Sequence, residues 1–252
     1  MGAAGRLTES QALASKALTY LDRYPPESPV RAVPLYVLAC VQLEQGMRGR
    51  ARETYRRMQR ISGANPGERS LIHATGAALS EIEGRWDEAK SEYRQAATAL
   101  ASAGKERSAE TAGLLAGLAS VHVNEHQYVQ ALAVINQALT ILETATDAVP
   151  LDRIKFLNLR GVILGGQGHW REAEADFSVA FSLAHAQSRV DFIELDGLVK
   201  NYAAVLRKAH RGREAKSVLA WAATLRSSAS GSSQIVDITE LVQRPDRKAQ
   251  DK

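Results

Sequence analysis

Small and large apolar residues recur along this chain in a pattern that returns every 42 positions. Ala77, Ala119, Gly161 and Ala203 form one small column. Ala89, Ala131, Ala173 and Ala215 form a second, and Ala96, Ala138, Ala180 and Ala222 a third. Two columns are large and apolar: Leu79, Val121, Ile163, Val205, and Tyr93, Ile135, Phe177, Leu219. A sixth reads Trp86, Tyr128, Trp170, Gly212. Positions 89, 93 and 96 are spaced by four and three, so they share one face of a helix. Positions 77 and 79 lie on the helix before it. Gly84 and Gly168 stand between the two, where glycine ends a helix, and His126 and His210 take the equivalent places. Each period thus predicts two helices that cross closely at the small columns. The large columns fill the space between neighbours. One such hairpin cannot bury its own apolar face, so the period predicts a stacked array.

A more divergent unit precedes the four. PLYVLACVQLEQGMRGRARETYRRM, residues 34–58, places Ala39, Gly46, Ala51 and Tyr55 in the matching columns, offset by 38 rather than 42. Before it, LTESQALASKALTYLDRYPP reads as one amphipathic helix stopped by Pro25 and Pro26. It fits the second helix of a half repeat, which leaves room for a natural chain longer at its N-terminus. SSASGSSQ, residues 227–234, has linker composition. IVDITELV, Ile235 to Val242, is rich in β-branched residues and is expected to dock on the last repeat, whose end otherwise lacks a cap. The chain therefore divides into an N-terminal helix or half repeat (1–29), the array (30–226) and a linker with tail (227–252). Helix is expected from about residue 8 to 226, wound as a right-handed superhelix.

GRWDEAKSEYRQA, HQYVQALAVINQA and GHWREAEADFSVA carry a turn followed by Ala, a bulky residue and Ala, and this arrangement resembles the tetratricopeptide repeat. In NYAAVLRKAHRGREAKSVLAWA, Gly212 replaces the aromatic. The period resembles the longer-helix subgroup typified by kinesin light chain. The resemblance covers roughly residues 30–226 and implies an all-α fold, an α-α superhelix of about five hairpins. It implies protein binding rather than catalysis.

Composition agrees with that implication. Of 252 residues, 45% are hydrophobic and 24% charged, an ordinary globular balance. The single Cys40 excludes an internal disulfide framework and sits in the apolar stretch VLACVQL as a small buried residue. No signal-peptide core opens the chain, and no apolar run reaches 18 residues, so a soluble, cytoplasmic protein is expected. A pI of about 9.2 invites a nucleic-acid reading, but the net charge is only +4. It is also divided: residues 45–70 and 195–226 are net basic, 71–146 net acidic. An RNA-reading solenoid needs polar base-reading residues in one column, and the inward columns here are mostly Ala, Gly and Val. RGVILGGQGHW lacks the Lys and Ser/Thr of a phosphate loop. His122 and His126 have metal spacing but no HExxH pattern and no third ligand nearby, so a core column and a turn account for them. Trp86 and Trp170 are expected in the core. No catalytic residue, metal or cofactor is indicated.

In this repeat class the first helices line a concave face that takes peptides, and the resemblance places residues there. The third regular repeat offers Lys155, Asn158, Val162 and Gly165; the fourth offers Lys200, Asn201, Ala204, Arg207 and Lys208. Asn201 matches the Asn with which kinesin-light-chain-like repeats hold peptide backbone, while Asn158 is displaced by one. The first two repeats offer Ala74, Ala78, Glu81, Ile82 and Ala116, Ser120, Val123, Asn124. Lys155, Asn158, Lys200, Asn201, Arg207 and Lys208 are the predicted peptide-binding set. They suit a partner with an acidic segment or a free C-terminus. An uncapped C-terminal end also allows a homo-oligomer. A ligand-sensing regulatory module acting on a separate effector chain is the alternative function.

Overall fold

The structure is a computed structural model that describes residues 3–187 and 192–230. Among these residues the chain is all-α. A first helix, α1 (Ala3–Tyr20), leads through two short 3₁₀ turns into five hairpins: α2 (Ala32–Glu44) with α3 (Arg48–Gln59), α4 (Pro66–Ile82) with α5 (Trp86–Ser102), α6 (Ala109–Asn124) with α7 (Tyr128–Thr144), α8 (Pro150–Gly166) with α9 (Trp170–His185), and α10 (Phe192–Lys208) with α11 (Gly212–Ser230). The second helices of the last four hairpins begin at Trp86, Tyr128, Trp170 and Gly212, in step with the sequence period. α3 begins 38 residues before α5, as its columns predict. No described helix is long and apolar enough to cross a membrane.

All five hairpins turn by one device. The second residue after the first helix takes a left-handed conformation: Gly46 (φ 72°), Gly84 (φ 72°), His126 (φ 59°), Gly168 (φ 82°) and His210 (φ 59°). The next amide then donates back five residues, from Met47 to Gln42, Arg85 to Ser80, Gln127 to His122, His169 to Leu164 and Arg211 to Leu206, at 2.7–2.9 Å. These bonds satisfy carbonyls that the helix end leaves open. Helix starts are set as locally. Asn65 and Glu68 form a reciprocal capping box on α4, with Pro66 as its first residue, and Ser108 caps α6.

The small columns lie at the helix crossings. Ala77, Ala89, Ala96, Ala119, Ala131, Ala138, Ala173, Ala180 and Ala215 are fully buried. Of the large columns, Ile135, Ile163, Val121 and Phe177 are buried between them, and Leu219 at the C-terminal end is half-buried. Some contacts admit no side chain at all. A Cβ on Gly161 would lie 2.6 Å from the Phe177 ring, and one on Gly117 would lie 2.5 Å from the ring of Tyr93 in the preceding repeat. Charges tie three of the turns to the hairpin before them: Arg52 to Glu83, Lys90 to Glu125 at 2.9 Å, and Arg211 to Glu174 with the signs reversed.

α1 packs on the first hairpin. Ala14 and Leu18 pack on Leu35, Leu38 and Met58, and the buried Arg31 donates to the carbonyls of Leu21 (2.6 Å) and Tyr24 (3.0 Å), closing the 3₁₀ connection. Its outer face leaves Leu13 and Tyr20 exposed. The C-terminal end differs from expectation. α11 continues through Ser230, into the stretch of linker composition. Its outward residues through Thr224 include Arg213, Lys216, Ser217 and Ala220, with no large apolar side chain exposed. A polar outer face already does what a capping repeat does. The segment Ile235–Val242 lies outside the described residues.

Two expectations follow. His210→Gly should raise stability and Gly168→Ala lower it, each by roughly 1 kcal/mol, because only glycine is unstrained at positive φ. A Cβ at Gly168 meets nothing within 4 Å, so backbone strain alone is measured. Ala131→Leu or Ala173→Leu should cost about 1–3 kcal/mol by overpacking a crossing. Urea denaturation of the four variants checks both.

Candidate functional site

Consecutive first helices touch one another, α2 with α4, α4 with α6, α6 with α8 and α8 with α10. Second helices make no comparable contact with each other among the described residues. A row of hairpins closer together on one side curves toward that side, so the first helices line the inner face.

The inner face changes character along its length. Between α2, α4 and α6 lies a cavity of about 370 Å³ lined by Tyr36, Cys40, Leu71, Ala74, Ala78, Gly113 and Leu114, with Tyr93 and Glu110 at its wall. The small side chains of Ala74, Ala78 and Gly113 leave it open. Cys40 is half-buried beside it rather than enclosed in the core. Next, Glu81 ties α4 to α6: its carboxylate accepts from Tyr93 (2.9 Å) and from Ser120 (2.7 Å), with Asn124 at 3.5 Å. Further on, Asn201 Nδ2 donates to Asn158 Oδ1 at 3.0 Å, joining α8 to α10. The predicted pair of asparagines is thus brought together despite its displaced register.

The four predicted cations are all exposed. Lys155 lies six residues before the Gly161 crossing on α8. On α10, Lys200 pairs with Asp196 one turn earlier, and Arg207 and Lys208 stand in the last turn. The Lys208 ammonium sits 3.5 Å from the centre of the Trp170 ring. Trp170 departs from the core role expected of it, being 39% exposed. It lies against Gly165 at the end of α8 and supports a cation there. A ring that packs on its own hairpin by one face leaves the other for a cation. His122 is buried with Nδ1 2.7 Å from Gln127 Oε1, a structural contact across the turn. Among the described residues no group of His, Cys, Asp and Glu is arranged to hold a metal.

No protein-family model and no curated protein matches the sequence. Solved structures match it in three dimensions. BtubC (BKLC) from P. vanneervenii superimposes with a TM-score of 0.68 at 21% identity, over 90% of this chain and 94% of that one. A tetratricopeptide repeat protein from Parabacteroides merdae ATCC 43184 does so with a TM-score of 0.54 at 17% identity, over 86% and 80%. The chain has a tetratricopeptide-repeat fold. Within that fold, Tyr36, Cys40 and Gly113 are inner-face residues that the repeat columns do not single out. Gly113 shares a column with Leu71, Lys155 and Gly197, whose variety hides any common role.

Two tyrosines of the cavity, and Tyr55 on α3, hold their protons more tightly than a free phenol. Burial, with Cys40 and Glu110 adding, pushes the Tyr36 phenol well above its ordinary value. Burial and Glu81 do the same for Tyr93. Burial and Glu92 push Tyr55 up to about 12. A raised phenol keeps a proton that the unfolded chain loses near pH 10. The stability it contributes is therefore intact below about pH 10 and declines as pH rises toward 12. Denaturation midpoints measured from pH 8 to 12 should be flat at first and then fall above about 10, with tyrosinate absorbance at 295 nm lagging the free-tyrosine curve until the fold is lost.

Proposed function

We propose that this chain is a protein-interaction scaffold of the cytoplasm whose concave face binds an extended segment of a partner protein. The graded inner face carries this reading: a row of first helices, apolar and open at α2–α6, ends in exposed Lys200, Arg207 and Lys208 on α10. Repeat arrays use such extended surfaces for binding. Small residues leave room for a backbone, and cations reward carboxylates, so the segment carries acidic residues or a free C-terminus at the α10 end. Asn158 and Asn201, bonded to each other, have amide groups of the right kind to exchange that bond for the peptide backbone. The 42-residue step of the second helices supports assignment to the long, kinesin-light-chain-like subgroup of the repeat.

A capture from native lysate tests this with the intact chain and with Lys200→Glu/Arg207→Glu. The partner should be retained by the intact chain and lost, by about tenfold or more, from the reversed variant, since two like charges replace two attractive ones. Equal recovery on both would remove the α10 end from the binding surface.

A further inference from the structure

We propose that the cavity between α2, α4 and α6 is an anchor pocket for one bulky apolar side chain of the bound segment, set a fixed distance from the segment's acidic residues. The proposal rests on the groove reading above and adds the feature that fixes register and specificity.

The pocket is built by residue size. Ala74, Ala78 and Gly113 are small where three helices face one another, and Leu71, Leu114 and the ring of Tyr36 form its apolar walls. Its volume of about 370 Å³ falls within the range of ligand sites and holds a large side chain together with the backbone that carries it. Carboxylates stand at this end of the groove, Glu110 at the pocket wall and Glu81 in the next contact, so an acidic residue is repelled here and attracted at α10. Charge complementarity thus orients the occupant: apolar anchor at α4, acidic residues toward α8 and α10. Packed helices lie about 8–10 Å apart, which puts α8 roughly 20 Å and α10 roughly 30 Å from the pocket. At about 3.3 Å per residue of extended chain, the acidic residues fall roughly six to nine positions from the anchor.

Gly113 and Cys40 make the proposal testable. A Cβ at Gly113 meets nothing within 4 Å and Gly113 lines the pocket, so Gly113→Phe adds bulk at the pocket with no clash at the Cβ. Cys40 is the chain's single cysteine and lines the same pocket, so its alkylation by N-ethylmaleimide reports occupancy in the unaltered protein. The probe is a phage-displayed random dodecapeptide library panned on the full chain. Recovered peptides should share one bulky apolar position and acidic residues roughly six to nine places away. They should bind Gly113→Phe about tenfold or more weakly and should slow Cys40 alkylation several-fold. Peptides that depend on Lys200 and Arg207 but share no apolar position and leave Cys40 alkylation unchanged would overturn the pocket and keep the groove. Recovery of no binders, or of binders indifferent to the charge reversal at Lys200 and Arg207, would overturn the groove reading and the pocket with it. Cys40 protection is read on the unaltered chain, so the outcome stands even if Gly113→Phe lowers the melting temperature.

Discussion

The helix crossings on alanine and glycine are the constraint on which the rest of the structure depends. Fully buried Ala89, Ala131, Ala173 and Ala215 set how closely the two helices of each hairpin approach. Where even a methyl is too much, as at Gly117 against Tyr93 and Gly161 against Phe177, an aromatic ring occupies the space that a Cβ would need. Interiors packed at crystal-like density tolerate little change of volume at such points. Because the crossing repeats, any error in it would propagate along the array, and the strict recurrence of small residues is the response.

From that spacing comes the groove. Hairpins held at a common separation, with their first helices in mutual contact, must curve, and the curvature gathers one side chain column from each hairpin onto a single surface. The turn supports this by always leaving the helix in the same direction, through one left-handed residue and one amide that reaches back five positions. Two of those residues are histidines, which accept a strained φ that glycine takes freely. The His126 ring lies at an edge-on angle to Tyr128.

Function in such an array is a matter of what the inner columns carry, since the columns that build the fold are silent about ligand. Here the inner face moves from an apolar recess, through two hydrogen-bonded links between neighbouring first helices, to exposed cations. A segment laid along it would meet three different chemistries in order. The order gives the surface a direction as well as a composition.

Much of the fold was legible in the sequence. The 42-residue columns located the helices, the turns at Gly84, His126, Gly168 and His210, and the divergent first hairpin, because backbone propensity, turn conformation and close packing are each written in residue type at a fixed spacing. Asn158 and Asn201 each stood out in the sequence, one column out of register with each other, and their bond could not be read from it. What the sequence could not decide were relations between columns of different repeats. Trp86 is only half-buried, and Trp170 in the same column lies 39% exposed beneath Lys208, a contact that exists only because α9 and α10 are neighbours. The pocket drew on Tyr36, Ala78 and Gly113 from three separate hairpins, and Gly113 has no distinguishing mark along the chain. The polar outer face of α11 likewise emerged only once the buried side of that helix was fixed. Local sequence set the elements; their curvature and stacking, a sum over many contacts, set which side chains meet.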